Sequence, residues 1–180
     1  MVGGGQLARM THQAAIALGQ TLRVLANGDA EPAAQVSPDV VLGSHTDLNA
    51  LRRVAEGATV LTFDHEHVPT ELLEKLVADG VAVAPPPEAL VHAQDKLVMR
   101  QRLEALGAPV PRYATVASVD DVRMFSETVG GPVVIKTIRG GYDGRGVVIA
   151  DTADEAAEAV HRYLVDGGPV MVGEKVAMRR

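Results

Sequence analysis

Cysteine is absent from this chain of 180 residues, which excludes disulfides and thiolate metal sites. Aromatic residues make up only 3%, against 47% for hydrophobic residues as a whole, so the core falls to valine, leucine, alanine and isoleucine. No apolar run approaches the roughly 20 residues of a membrane-spanning helix, so no membrane partner is expected. The opening MVGGGQLARM lacks both the charged start and the apolar stretch of a secretory signal, and a cytoplasmic setting is expected. Positive charge is scarce in one half only. Residues 1–93 hold 5 Lys and Arg against 11 Asp and Glu, whereas residues 94–180 hold 12 of each, so the whole net charge of −6 lies in the first half. No basic stripe suited to nucleic acid appears. The basic residues of the second half sit among glycines, which points to a small anion.

The first half alternates strand and helix patterns, which argues for a parallel sheet and an α/β class. QLARMTHQAAIALG has helical spacing, and 21–26 and 39–43 read as strands. A helix is expected over about 47–56, a strand over 59–63, a helix opened by Pro69 and closed by Gly80, and a strand in VAVAP. PPPEAL, Pro85 to Leu90, breaks this pattern and reads as a linker between units at 1–91 and 92–180. AQDKLVMRQRLEALG is helical. PVPRYATV then leads into a helix opened by Ser118, with Asp120 and Asp121 in its first turn. PVVIKT and GVVIA read as strands, followed by a helix over about 152–164 and a last strand in PVMVGEKV. Both ends look cut: GGGQL has only Met1 and Val2 before it, where a glycine-rich turn is normally fed by a full strand.

Between PVVIKT and GVVIA lies TIRGGYDGRG, with four glycines and two arginines, and Lys136 on the strand ahead of it. A plain hairpin needs two turn residues. A glycine-rich hairpin of this length can fold over a polyphosphate, its N–H groups donating while Lys136 and Arg145 supply charge. A bare surface hairpin is the alternative for the glycines alone.

GGYDGRG with its upstream lysine resembles the nucleotide-covering loop of ATP-grasp enzymes, and more narrowly that of the 5-(carboxyamino)imidazole ribonucleotide synthase family. GGGQLARM, TFDHEHVP (beside the family's T-x-E-F-E-x-V-P) and QDKLVMRQRLEALGAPVPRY fall in the same register, so the resemblance covers the whole chain. It implies a pre-ATP-grasp parallel-sheet domain followed by the first, α+β lobe of an ATP-grasp domain. It further implies ATP and Mg²⁺ as cofactors, with bicarbonate and aminoimidazole ribonucleotide as substrates. By position, Lys96, Lys136, Gly141, Tyr142, Asp143, Gly144, Arg145, Gly146 and Val147 would meet the phosphates. Glu174, Lys175 and Val176 fall on the hinge that holds adenine, the latter two through main-chain atoms. Gly173 stands where an acidic residue is usual. Gly4, Gly5, Gln6 and Glu66 fall on the substrate side. The metal ligands belong to the second lobe, so no metal ligand and no catalytic residue is assigned here, and a homodimer is left open.

Other readings of the residues remain. Another ATP-grasp ligase, such as a glycinamide ribonucleotide transformylase or a biotin carboxylase, would share the loop but not GGGQLARM together with TFDHEHVP. A dinucleotide-binding module is disfavoured because Ala8 stands at the sixth position of G-x-G-x-x-G. A non-catalytic fragment that folds and binds nothing is the third. DHEH, Asp64 to His67, could look like a metal cluster but reads as a solvated strand end. His12, His45, His92 and His161 are expected to be isolated, ordinary surface or helix residues.

Overall fold

The computed structural model describes residues 1–141, 146–165 and 167–177. It divides into two units, Met1–Ala93 and Gln94–Arg180.

The first unit is built on parallel segments. Strands β1 (Val24–Ala26) and β2 (Val40–Leu42) pair in parallel, Val24 opposite Val40. On the other side of β1 lies Val2, which bridges both Leu25 and Phe63 in parallel, and Leu61 in turn bridges Val83. The segments expected as strands at 59–63 and in VAVAP thus take their places in the sheet through single bridges rather than continuous ladders. Their hydrogen bonds are nevertheless made: Val2 N donates to Thr62 O at 2.7 Å and Leu61 N to Ala82 O at 2.8 Å. Helices α1 (Gln6–Ala17), α2 (Leu48–Ala55) and α3 (Thr70–Ala78) are the connections. Asp47 caps α2 by accepting from Asn49 N at 2.9 Å, and Leu51 and Val54 of that helix join Leu25, Leu61, Leu73 and Leu76 in a fully buried aliphatic core.

The expected linker is a helix. PPPEAL opens α4 (Pro87–Gln94), since proline at the first helical position lacks only an N–H that would have no helical partner there. The helical run behind it is split: Asp95 interrupts, its side chain accepting from Leu97 N and Val98 N at 3.0 Å, and α5 (Lys96–Ala105) starts anew.

In the second unit the sheet has the order β3-β6-β4-β5, all antiparallel, from β3 (Tyr113–Val116), β4 (Val133–Thr137), β5 (Val147–Ala150) and β6 (Val170–Glu174). One face is covered by α6 (Val119–Val129) and α7 (Ala153–Val165), burying Val133, Ile135 and Val172 against Val122, Ala156 and Val160. Ser118 and Asp121 close a capping box at the start of α6, and Gly130 ends it in the left-handed region at φ 67°. β3 was not anticipated. Its sequence follows two prolines, and it becomes a strand by pairing with β6, the most distant in sequence of the four.

Candidate functional site

Strand alternation decides what the second unit presents on its other face. With Val133 and Ile135 buried under the helices, Val134 and Lys136 point the opposite way, opposite Gly173 and Met171 of β6. These four, with Arg100, Pro111, Glu174, Lys175 and Val176, line a cavity of about 220 Å³. Lys136 stands half-buried in it. Burial, then the charges of Arg100 and Lys96, push its pKa below the ordinary lysine value. Arg100 follows Lys96 by one helical turn on α5, and its buried Nη1 has no hydrogen-bond partner among the described residues. Three cations therefore lie close together, and the carboxylate of Glu174 in the same lining is already engaged by Arg112, an arrangement that favours an anionic ligand.

The glycine loop begins beside this cluster. Lys96 Nζ donates to Gly140 O at 2.6 Å and Lys96 N to Ile138 O at 3.0 Å. Asp95 Oδ2 accepts from Arg139 Nε at 3.0 Å. Burial would raise the Asp95 carboxyl, but the Val98 amide, Arg139 and the Leu97 amide together hold it below the usual carboxylate range. At the far end of the loop Thr137 N donates to Gly146 O at 3.0 Å. Gly146 has φ 73°, and a Cβ there would sit 2.7 Å from Thr137 Oγ1, so only glycine fits. Gly141 is exposed and Val147 pairs with Lys136. Tyr142, Asp143, Gly144 and Arg145 lie outside the described residues.

At the segment expected to form the hinge, Lys175 N donates to Pro132 O at 3.0 Å, while the Val176 N–H has no hydrogen bond among the described residues. Val176 is 54% exposed. Glu174 turns its carboxylate to Arg112, 2.7 Å from Nε. Gly173 would meet only Arg112 O, at an ordinary 3.5 Å, if it carried a Cβ.

In the first unit, Gly4, Gly5 and Gln6 form the turn from the central Val2 bridge into α1. A Cβ on Gly3 would strike the Asp64 carboxylate, and one on Gly4 would strike Glu31 and come within 2.7 Å of the Ala26 Cβ. Gly5 makes no side-chain cap. Asp64 supplies it from the neighbouring strand end, Oδ2 accepting from Ala8 N at 3.0 Å. The end of the helix that would attract an anion is thus already met by a carboxylate from within. Glu66 is half-buried two residues farther on.

One histidine expectation is corrected. His45 is not isolated: its ring meets His65 edge-on at 5.0 Å, and His65 stacks on His67 at 5.4 Å. Chain folding, not sequence proximity, joins the loop after β2 to DHEH. His12 is buried on α1. Among the described residues no group of three His, Asp or Glu is placed to hold a metal. Two of the acids after the loop are otherwise engaged: Asp154 pairs with Arg123 at 2.9 Å, and Glu155 accepts from Asp151 N at 2.8 Å. No Mg²⁺ site is built from them. Sequence reasoning missed Arg100, Asp95, Asp64 and Arg112. Arg100 had a signal in its four-residue spacing from Lys96, and Asp95 in its cap position before a helix.

Residues 1–94 match the family model described as the ribonucleotide synthetase preATP-grasp domain, and residues 101–180 match the ATP-grasp domain. N5-carboxyaminoimidazole ribonucleotide synthase from Mycobacterium leprae is 66% identical over 187 residues, covering 100% of this chain and 43% of its own length. The chain thus spans less than half of that relative. The crystal structure of the corresponding synthetase from Thermus thermophilus superposes with a TM-score of 0.85 at 33% identity, covering 100% of this chain and 48% of its own. The Aspergillus clavatus synthase in complex with ADP and 5-aminoimidazole ribonucleotide gives 0.84 at 28% identity, covering 99% and 47%. The chain belongs to the ribonucleotide synthetase preATP-grasp family, and its relatives there are the N5-carboxyaminoimidazole ribonucleotide synthases.

Proposed function

We propose that a protein carrying this chain is an ATP- and bicarbonate-dependent carbon–nitrogen ligase of purine biosynthesis that carboxylates 5-aminoimidazole ribonucleotide. A bicarbonate oxygen attacks the γ-phosphorus, ADP leaves, and carboxyphosphate forms. The exocyclic amine of the ribonucleotide then attacks the carboxyl carbon, loses a proton, and displaces phosphate. The observation that carries this reading is the meeting of Arg100 and Lys136 in one cavity lined also by Glu174, Lys175 and Val176, with Lys96 near enough to act on Lys136 and bonded to the start of the glycine loop. Its support from comparison is the ADP and aminoimidazole ribonucleotide named for the Aspergillus clavatus relative.

Within this chain the division of labour is physical. Lys96, Lys136 and the loop from Gly141 to Val147 neutralise and orient the phosphates, and the main chain of Lys175 and Val176 faces the purine edge. Gly4, Gly5, Gln6 and Glu66 serve the ribonucleotide side. Mg²⁺, when bound, would offset the charge that develops on the phosphates. The described acids of this chain do not fit it, and the resemblance puts its ligands in the second lobe. A cytoplasmic setting and a homodimer belong to the same proposal.

Calorimetric titration of the chain with ADP and with adenosine tests the reading. ADP should bind more tightly than adenosine, and Lys136→Ala should remove the difference. Equal binding of both, or none of either, would overturn it.

A further inference from the structure

We infer that Asp95 is a positioning residue that ties the start of α5, and Lys96 with it, to the first residues of the glycine loop. The inference deepens the phosphate reading of Lys96 and rests on it for its functional meaning. Its geometry stands independently.

Asp95 is 8% exposed, deep for an ionised side chain. A helix cap needs one acceptor oxygen, and Oδ1 does that work alone, taking the amides of Leu97 and Val98. The second oxygen is therefore surplus to capping. It accepts from Arg139 Nε, 44 residues away in sequence. Around that contact Asp95 and Arg139 form an antiparallel bridge, Lys96 N reaches Ile138 O, and Lys96 Nζ reaches Gly140 O. Gly140 itself has φ 71°, a conformation with little intrinsic preference for staying in place. The tie fixes it.

The consequence is that the lysine on the helix and the first residues of the loop, Ile138 to Gly140, behave as one piece. A flexible lysine on an exposed helix would have to lose side-chain freedom each time it met a phosphate. Here its backbone is anchored to the loop before any ligand arrives, so less ordering remains to be done on binding.

Asp95→Asn separates the two functions of the side chain. Asparagine caps helices about as well as aspartate, through its oxygen, but its amide would face the Arg139 donor. Arg139→Gln removes the tie from the other side and leaves the cap untouched. Amide hydrogen exchange of the whole chain, without ligand, reads the result. In both variants the Lys96 amide should exchange about tenfold faster, with Leu97 and Val98 unchanged and the melting temperature held. Unchanged Lys96 exchange in either variant would overturn the tie. So would equal acceleration at all three amides in Asp95→Asn, which would make Asp95 a cap only. A parallel titration with inorganic tripolyphosphate keeps the two readings apart. If exchange shifts as expected but the unsubstituted chain does not bind tripolyphosphate, the phosphate reading of Lys96 fails while the tie stands. Weaker tripolyphosphate binding by Asp95→Asn at an unchanged melting temperature supports both.

Discussion

Glu174 holds Arg112 at two points, its carboxylate accepting from the Arg112 amide at 3.0 Å and from Nε at 2.7 Å. Glu174 N returns a bond to Arg112 O at 2.9 Å, and the guanidinium reaches on to Thr128 O and Val129 O at the end of α6. The entry to β3 and the exit of β6 are thereby fastened just before the hinge. Arg112→Ala removes only the side-chain half of the contact, because the backbone amide stays, whereas Glu174→Ala removes both. In a protein of the relatives' full length, ADP affinity should fall more for Glu174→Ala. For Arg112→Ala the loss should be about fivefold or less, the range of a solvent-screened pair. Titration of both variants checks the order, and the reverse would detach the clamp from the hinge.

Lys136 and Lys96 should not contribute equally. Lys136 projects from a strand that fixes its direction and faces other cations, whereas Lys96 already spends its ammonium on Gly140 O. In the full-length protein Lys136→Ala should lower the rate with ATP about a hundredfold, more than Lys96→Ala, as expected for loss of a preorganised charge on a phosphate. Steady-state kinetics of the two variants decides it.

The same residue should act on stability with the opposite sign. A lysine whose folded pKa is depressed opposes folding below that pKa, and the penalty is relieved as pH rises toward its ordinary value. Lys136→Met should therefore raise the melting temperature of the ligand-free chain at neutral pH by on the order of a few degrees. A fall would mean that Lys136 has a stabilising partner.

The first unit should be acid-sensitive through its histidines. Burial first, and then neighbouring imidazoles, hold His45 below its ordinary pKa; burial also outweighs Asp64, Glu66 and Glu31 in lowering His65. A histidine depressed on folding contributes stability that is present above its unfolded pKa and lost as pH falls through the folded one. Unfolding midpoints should fall between about pH 6.5 and pH 5, from the ordinary histidine value downward. His65→Phe should flatten that part of the profile, and an unchanged slope would place the acid effect elsewhere.

The chain alone should not carboxylate its substrate. Carboxyphosphate needs a held triphosphate, a divalent ion bridging it, and exclusion of water. The described residues supply groups for the first only, and Asp154 and Glu155 are committed to Arg123 and to the start of α7. Phosphate release that depends on both bicarbonate and aminoimidazole ribonucleotide would show that the metal is held by groups in this chain.

Local chemistry made part of this structure readable in advance. Ser118 and Asp121 announce α6, the β-branched runs around the glycine loop announce β4 and β5, and a lysine inside VVIKT announces a strand face that is not core. What was not readable depends on partners remote in sequence. β3 exists because β6 pairs with it, and Gly4 leaves no room for a Cβ beside Ala26 of β1, which no local pattern links to it. The prolines of PPPEAL misled because proline both ends and begins helices, and only the packing of Leu90 into the first core shows which. Asp95 was legible as a cap, while its second oxygen was not.

β6 enters the sheet between β3 and β4, although it is made after both. During synthesis, a chain that has left the ribosome only through α7 holds two strands with open edges and a vacant lane between them. Such edges invite pairing with other chains. Residues 170–174 close the lane, and they lead directly into Lys175 and Val176, the segment proposed to face the purine. Completion of the sheet and the placing of that segment would therefore arrive together, at one moment of translation.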